Sequence, residues 1–524
     1  MPPRSKASES LGIESTLWDA ANKLRGNMDS AEYKHVALGL IFLKYVSDAF
    51  TEQRDLLDKT LTDPDSPEHV DDETDRQEIL ESRDEYLGAG VFWVPSEARW
   101  DGPTGIQAGA KQPNIGRRID AAMDAIEREN PSLRGVLPKN YARQELDVRR
   151  LGELVDLISG IGLGTAEQRK GDVLGRVYEY FLGQFAANEG KGGGEFYTPR
   201  SVVQLLVEML EPYKGRVYDP CCGSGGMFVQ AEDFVLAHGG NKDAISVYGQ
   251  ESNATTWRIA KMNLALRGIE ANLGAEWGDT FHDDKHPDLR ADFVLANPPF
   301  NISDWGGEQR RDDSRWIHGV PSASNANFAW LQHIFARLSP TGLGAVILAT
   351  GSLGSQSKGE GDVRAQMIKS DAVDCIVNLP TKLFYSRSLP VAVWFLAQGR
   401  DASGPGRRDG KVLMIDARDL GTMTNRVHRE LSNVDVKHLA DVYRTFRETG
   451  DAPAEAGFAR VATTEEIARH QYVLTPAPYV GRAEKADEEN WTTRAKSDLV
   501  DLASALRAAA ESDDALRTSF GELL

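Results

Sequence analysis

Two kinds of hydrophobic spacing divide this chain of 524 residues. Between residues 14 and 50, apolar positions recur at intervals of three and four. Leu17, Ala20, Ala21 and Leu24 share one helical face; Val36, Leu40 and Leu43, with Tyr45 or Val46, share another. Segments at 115–128 and 148–159 repeat the spacing, which predicts a helical N-terminal domain over residues 1–165. PSLRGVLPKNYAR, with its Pro and Gly, reads as a loop. From about residue 170 the pattern changes. Short apolar runs now alternate with helical stretches, as in an α/β fold built on a parallel sheet. The predicted strands are 216–218, 246–248, 292–296, 345–349, 375–378 and 391–396, and KVLMIDA closes the region at about 417. Helices are predicted at 201–210, 227–237, 255–267 and 326–338. This defines an α/β domain over 166–425 and a C-terminal region over 426–524. In the latter, Leu499, Leu502, Leu506 and Ala509 keep helical spacing, either packed on their own domain or presented to a partner.

Composition narrows the class. With 41% hydrophobic and 27% charged residues, the chain can bury a core, which excludes disorder throughout. Only Cys221, Cys222 and Cys375 are present, so a disulfide scaffold is excluded and a reducing compartment is expected. The N-terminus has no apolar signal-peptide core. AVILA and VAVWFLA are far shorter than the roughly 20 residues of a membrane helix, so a cytoplasmic protein is expected. The net charge is −19, and residues 51–86, with 14 acidic and 4 basic side chains, supply over half of it. That stretch reads as a solvated acidic loop. The remainder is still acidic, so the chain lacks the basic footprint of a protein that grips DNA unaided. A nucleic-acid substrate would need a local basic groove or a basic partner.

The strongest chemical signal is VYDPCCGSGGMFVQA, beginning at Val217. A strand ending at Asp219 runs into a loop with Gly223, Ser224, Gly225 and Gly226, and then into an apolar helix. Glycines allow positive φ and let backbone N–H groups approach a ligand closely. No Lys-Ser/Thr pair follows, so the loop is not a phosphate-binding P-loop. The next strand, SVYGQE, ends at Glu251, 28 residues beyond Gly223, where a carboxylate can accept from both hydroxyls of a ribose. EWGDT brings Asp279 to the same edge, where it could meet an adenine amino group. These features describe an adenosine-bearing ligand without a phosphate cradle, and S-adenosyl-L-methionine fits. No metal is expected.

The strand ADFVLA leads directly into Asn297, Pro298, Pro299 and Phe300. Two prolines give a stiff, extended exit with no N–H at either position. The carbonyls there, with the Asn297 amide oxygen, become fixed acceptors. An exocyclic amino group is a poor nucleophile because its lone pair is delocalised into the ring. Accepting both of its hydrogens frees that lone pair for in-line attack on a sulfonium methyl, by positioning and electrostatics alone. Phe300 can stack on a flipped base. Cytosine C5 chemistry needs a cysteine in this loop, and none lies near Asn297.

In this order the motifs resemble the γ class of amino-methyltransferases, in which a TP element precedes the glycine loop and NPPF. More narrowly, the chain resembles the modification subunit of type I restriction systems, through LGLIFLKYVSDAF at 38–50, GEFYTPR at 194–200 and SLPVAVWFL at 388–396. The resemblance spans roughly residues 14–480. It implies a Rossmann-like methyltransferase sheet and transfer from S-adenosyl-L-methionine to the N6 of adenine in double-stranded DNA. Glu195, Phe196, Tyr197, Thr198, Pro199 and Arg200 would contact the cofactor with Ser224 to Gly226 and Glu251, Thr198 and Pro199 closing over its methionine end. Asp219 would lie near the methionine amino group, while Asn297, Pro298 and Phe300 would hold the adenine. SNANFAWLQH at 324–333 resembles an element lining the same cleft; a core helix would carry the same aromatics. The family implies a specificity subunit reading a bipartite sequence, a second modification subunit and a nuclease-translocase subunit. The helix around Leu499 to Leu506 would suit docking of the specificity subunit. Three other readings share parts of the pattern: an NPP-motif methyltransferase acting on RNA or protein, a self-contained restriction–methylation polypeptide, and a catalytically silent cofactor-binding scaffold.

Overall fold

The second of the two N-terminal faces lies on one long helix in the computed structural model, α1 (Ser30–Thr62), with Val36, Leu40, Leu43 and Val46 buried, while Leu17, Ala20 and Leu24 of the first face lie outside the described residues. The structure describes residues 18–19, 21–22, 30–160, 180–181, 198–384, 389–400, 406–426 and 428–481. α2 (Ile115–Glu129) and α3 (Val148–Ser159) form where the apolar periodicity predicts helices, and α3 packs against both α1 and α2. The loop between α2 and α3 is pinned where the Tyr141 hydroxyl donates to the Val36 carbonyl over 2.8 Å.

The acidic stretch departs from the expected loop. Residues 51–62 continue α1, and two short helices follow at Glu73–Leu80 and Arg83–Gly88. Leu57, Leu61 and Leu80 close a small apolar cluster, and the Asp72 carboxylate caps its helix by accepting from the N–H groups of Thr74 and Asp75. Three leucines and one cap thus order a segment whose charge density suggested none.

The second half is a nine-stranded sheet in the order β11-β8-β6-β7-β5-β4-β1-β2-β3. Its strands are β1 (Gly215–Asp219), β2 (Ile245–Gly249), β3 (Ala271–Asn272), β4 (Ala291–Ala296), β5 (Leu338–Ala349), β6 (Val373–Asn378), β7 (Val391–Ala397), β8 (Lys411–Asp416) and β11 (Ala459–Thr463). A small separate hairpin pairs β9 (Thr422–Met423) with β10 (Arg429–Glu430). The sheet is mixed, where the spacing predicts a parallel one: β7 runs antiparallel between β5 and β6, and β11 antiparallel to β8. Every residue of β7 is buried, so its apolar run carries no trace of its direction.

Helices cover both faces: α4 (Arg200–Leu210), α5 (Gly226–Ala237), α6 (Ala254–Leu266), α7 (Asn327–Arg337), α8 (Glu360–Lys369) and α9 (Asn433–Thr449). Each of the four helices predicted for this region falls within a residue or two of its expected place. The sheet continues past residue 425 through β11, and α9 is tied to α4 where Arg444 Nε donates to Glu211 Oε1 over 2.7 Å. The helical domain meets α6, where Arg258 donates to the Gly135 carbonyl. Glu195 to Tyr197 and the helix expected around Leu499 to Leu506 lie outside the described residues. Among the described residues, no helix is long and apolar enough to cross a membrane.

Strand order reverses between β1 and β4. In open α/β sheets ligands bind outside the carboxyl ends of strands at such a switch point. Asp219 ends β1 and Asn297 follows β4, so both motifs open onto that crevice.

Candidate active site

The glycine loop is held by β2. The Cys222 N–H donates to the Gln250 carbonyl over 2.9 Å, and the Gln250 N–H donates to the Asp219 carbonyl over 3.0 Å. Gln250 is fully buried, and its side-chain amide reaches the carbonyls of Gly278 and Asp283 while accepting from the Lys285 N–H. One glutamine therefore joins the three loops that frame the crevice. Gly225 has φ of 80°, and a Cβ there would meet Leu264 at 3.3 Å. A Cβ on Gly223 or Gly226 would meet no atom within 4 Å, so those positions face open space.

Two carboxylates flank this loop. Asp219 is buried and accepts from the Cys221 N–H over 3.0 Å. Loss of hydration pushes its pKa up to about 7, with the nearby charge of Glu251 adding to the rise. Glu251 accepts from the Gly223 N–H over 3.1 Å and from the Asn253 N–H over 2.8 Å. The Ser252 hydroxyl donates to the same carboxylate over 3.4 Å, so Glu251 is an acceptor fixed by its own loop. Asp279 is half-exposed, and its Oδ1 accepts from the N–H groups of Phe281 and His282. It therefore orders its own turn, next to Glu251, whose carbonyl accepts from the Gly278 N–H over 2.9 Å.

Asn297 is buried across the crevice. Its Nδ2 donates to Thr198 Oγ1 over 2.9 Å, while its Oδ1 is buried with no hydrogen-bond partner. The turn after the tetrapeptide is stitched to α7: the Asn301 N–H donates to Asn327 Oδ1 over 3.0 Å, and Asn327 Nδ2 donates to Asn301 Oδ1 over 2.8 Å. Asn301 has φ of 56°, so this reciprocal amide pair secures a left-handed residue directly beyond Phe300. Phe300 is itself nearly buried, its ring centroid 6.5 Å from that of Phe384 in an edge-on arrangement.

Thr198, Asp219, Gly223, Ser224, Gly226 and Asn297 line one cleft, together with both cysteines of the loop, Val203 and Met227. Gly225 and Glu251 do not line it, Glu251 being joined to it through the Gly223 N–H, and Arg200 is exposed in the first turn of α4. Burial pushes both cysteine thiols up in pKa, so they stay protonated. Beneath the cleft, His333 is driven down to about 3 by burial, with Arg315 adding to the effect, and is neutral. Arg315 donates to its Nδ1, which leaves Nε2–H for the Tyr218 hydroxyl. His333 is thus a structural tie and not a base. Gln250 lies in SVYGQE and Asn327 in SNANFAWLQH, but neither stands out there as a site residue, because a bridging amide is recognised only by the partners the fold brings to it.

The donor set suits S-adenosyl-L-methionine. Buried Asp219 can compensate an ammonium group, Glu251 can take hydroxyls, and the open faces of Gly223 and Gly226 leave room for the ligand. Comparison with known proteins agrees with this chemistry. The N-6 DNA Methylase family matches residues 169–488, and the HsdM N-terminal domain matches residues 13–158. The type I restriction enzyme MjaIX methylase subunit of Methanocaldococcus jannaschii is 41% identical over 90% of this chain and 84% of its own length. The HindI methylase subunit of Haemophilus influenzae is 44% identical over 75% of this chain and 91% of its own. In fold, the chain resembles the type I restriction-modification methyltransferase subunit from Streptococcus thermophilus, with a TM-score of 0.71 at 23% identity over 89% of this chain and 98% of that one. A family match over more than half the chain, joined to these two relatives, decides the assignment: the chain belongs to the N-6 DNA methylase family, among the methylase subunits of type I restriction enzymes.

Proposed function

We propose that this chain transfers a methyl group from S-adenosyl-L-methionine to the N6 of a flipped adenine in double-stranded DNA. It would act as the modification subunit of a type I restriction-modification complex. The observation that carries this reading is Asn297 Oδ1, a buried acceptor without a partner. Leaving such an atom unpaired costs about 1–3 kcal/mol, a cost removed when an amino group arrives. The Thr198 hydroxyl accepts from the amide NH2, which leaves the oxygen as the end available to an incoming amino group.

The roles of the residues follow from their chemistry. Glu251 would accept the ribose hydroxyls, and Asp219, ionised beside an ammonium, would hold the methionine end with Thr198 and Pro199. Gly223 to Gly226 would lie along the ligand. Bound S-adenosyl-L-methionine supplies an electrophilic sulfonium methyl. Asn297 Oδ1 and the Pro298 carbonyl would each accept one amino hydrogen, localising the nitrogen lone pair, while Pro299 keeps the turn rigid and Phe300 walls the base. Asn327 would act as a positioning residue through Asn301.

The partners belong to the same reading. A specificity subunit would read the DNA sequence, a second copy of this chain would join it, and a nuclease-translocase subunit would complete the restriction complex in the cytoplasm. If residues around Leu499 to Leu506 dock the specificity subunit, deletion after residue 484 abolishes the complex; an intact complex rejects that placement. The central test is modification-sensitive long-read sequencing of host DNA in wild type and Asn297→Ala. Loss of N6-methyladenine at one split motif supports the proposal. Unchanged DNA overturns it and directs attention to RNA or protein substrates.

A further inference from the structure

Three cations stand close to the base-binding side of the crevice without an acidic partner. Lys382 lies in the turn after β6, two residues before Phe384, whose ring meets Phe300. The β9–β10 hairpin is tied to that turn: the Arg429 N–H donates to the Lys382 carbonyl over 2.9 Å, and Lys382 Nζ donates to the Arg426 carbonyl over 3.4 Å. Arg426 is exposed in the connection between the two strands, and the Arg429 guanidinium donates only to the carbonyls of Arg418 and Leu420. Among the described residues, none of the three has a carboxylate within ion-pairing distance. The acids nearby are engaged elsewhere. Asp416 holds Arg418 through two bonds, Asp419 also faces Arg418, and Glu430 pairs with His428.

We propose that Lys382, Arg426 and Arg429 grip the phosphates of the DNA strand that carries the target adenine. The inference rests on the proposed function and deepens it. A flipped base stays bonded to its own sugar and phosphates, so the backbone must pass the mouth of the site that holds the base. A chain of net charge −19 offers the backbone no general attraction, so uncompensated cations matter most where the strand comes nearest. One main-chain hydrogen bond and the Lys382 ammonium tie the hairpin to the very turn that presents Phe384, which places the grip beside the base site.

The test uses the full chain purified with its specificity subunit. Binding of a duplex carrying the target site is followed against salt concentration for wild type, Arg426→Glu, Arg426→Lys and the Lys382→Ala/Arg426→Ala pair. Removing one phosphate-neutralising cation lowers the slope of log K against log salt by about 0.9, so the pair should lose close to two such steps and bind DNA at least 10-fold more weakly. Arg426→Lys should keep the wild-type slope. S-adenosyl-L-methionine affinity and thermal midpoint should not move. An unchanged slope in the pair overturns the proposal. Loss of the specificity subunit from the complex also overturns it and makes the hairpin a protein-docking surface. Failure of the parent reading looks different: a wild-type complex that binds DNA yet leaves adenine unmethylated.

Discussion

Thr198 and Asn297 are 99 residues apart in sequence, yet the Thr198 hydroxyl accepts the Asn297 amide N–H over 2.9 Å. An amide has a donor end and an acceptor end of nearly equal shape. This bond decides which end is left unpaired, so a residue two positions before α4 sets the polarity of the proposed catalytic asparagine. Thr198→Val, which keeps the shape and removes the hydroxyl, should lower kcat about 100-fold, because the amide can then turn its NH2 toward the incoming amino group. Thr198→Ser should retain most activity. Single-turnover methylation of the duplex measures both, and equal rates for Val and wild type would reject the role.

The Asn301–Asn327 pair makes a second prediction. Asn327→Ala removes two partly buried hydrogen bonds and leaves a left-handed turn unsupported, at a cost of about 1–2 kcal/mol. The loss should appear in kcat and in the fluorescence of a flipped 2-aminopurine at the target position, with S-adenosyl-L-methionine affinity close to wild type. Asn327→Asp can still accept from the Asn301 N–H and should recover part of both signals. Reduced stability with an unchanged flipping signal would limit the pair to folding.

Neighbouring glycines should behave differently. Gly225→Ala places a Cβ at φ of 80° against Leu264 and should cost about 1–2 kcal/mol of stability. Gly226 has ordinary helical backbone, lines the cleft and would set its Cβ in open space. Gly226→Ala should leave the thermal midpoint intact and weaken S-adenosyl-L-methionine binding, as titration calorimetry would show. A lowered midpoint for Gly226→Ala with unchanged affinity would contradict the cleft assignment.

Asp219 gives the chain a pH dependence of defined sign. Burial first, and the charge of Glu251 next, raise its folded pKa from 3.8 to about 7. The folded state therefore keeps a proton that the unfolded chain has already lost. The stability this provides is complete below about pH 4, declines as pH rises, and is gone above about pH 7. Unfolding of wild type and Asp219→Asn should accordingly diverge across that interval, with the variant gaining relative stability as pH rises. Affinity for S-adenosyl-L-methionine should run the other way, rising toward pH 7 as Asp219 ionises to meet an ammonium. A pH-independent difference between the two proteins would place Asp219 outside this linkage.

Periodicity alone was enough to find most of the helices and strands, because burial of one face or of a whole strand is written in residue order. It found α1 but missed its continuation through the acidic stretch, where Leu57 and Leu61 supply an apolar face too sparse to outweigh the charge. It placed β7 but not its direction, since hydrogen-bond polarity between strands leaves no mark on an apolar run. Spacing also carried the chemistry of the glycine loop and of Asn297 to Phe300, because backbone geometry there requires particular residues: glycine where φ is positive, proline where the chain must be stiff.

Relations between distant segments were decided only by the fold. No local rule links Thr198 to Asn297, Asn301 to Asn327, or Lys382 to the β9–β10 hairpin, because each pair meets only after the sheet has brought separate strand ends to one edge. The same holds for electrostatics. The sequence specified an acidic chain with a carboxylate at position 219, but only burial in the assembled crevice raises that carboxyl toward neutrality, and only strand order brings it into one cleft with Asn297.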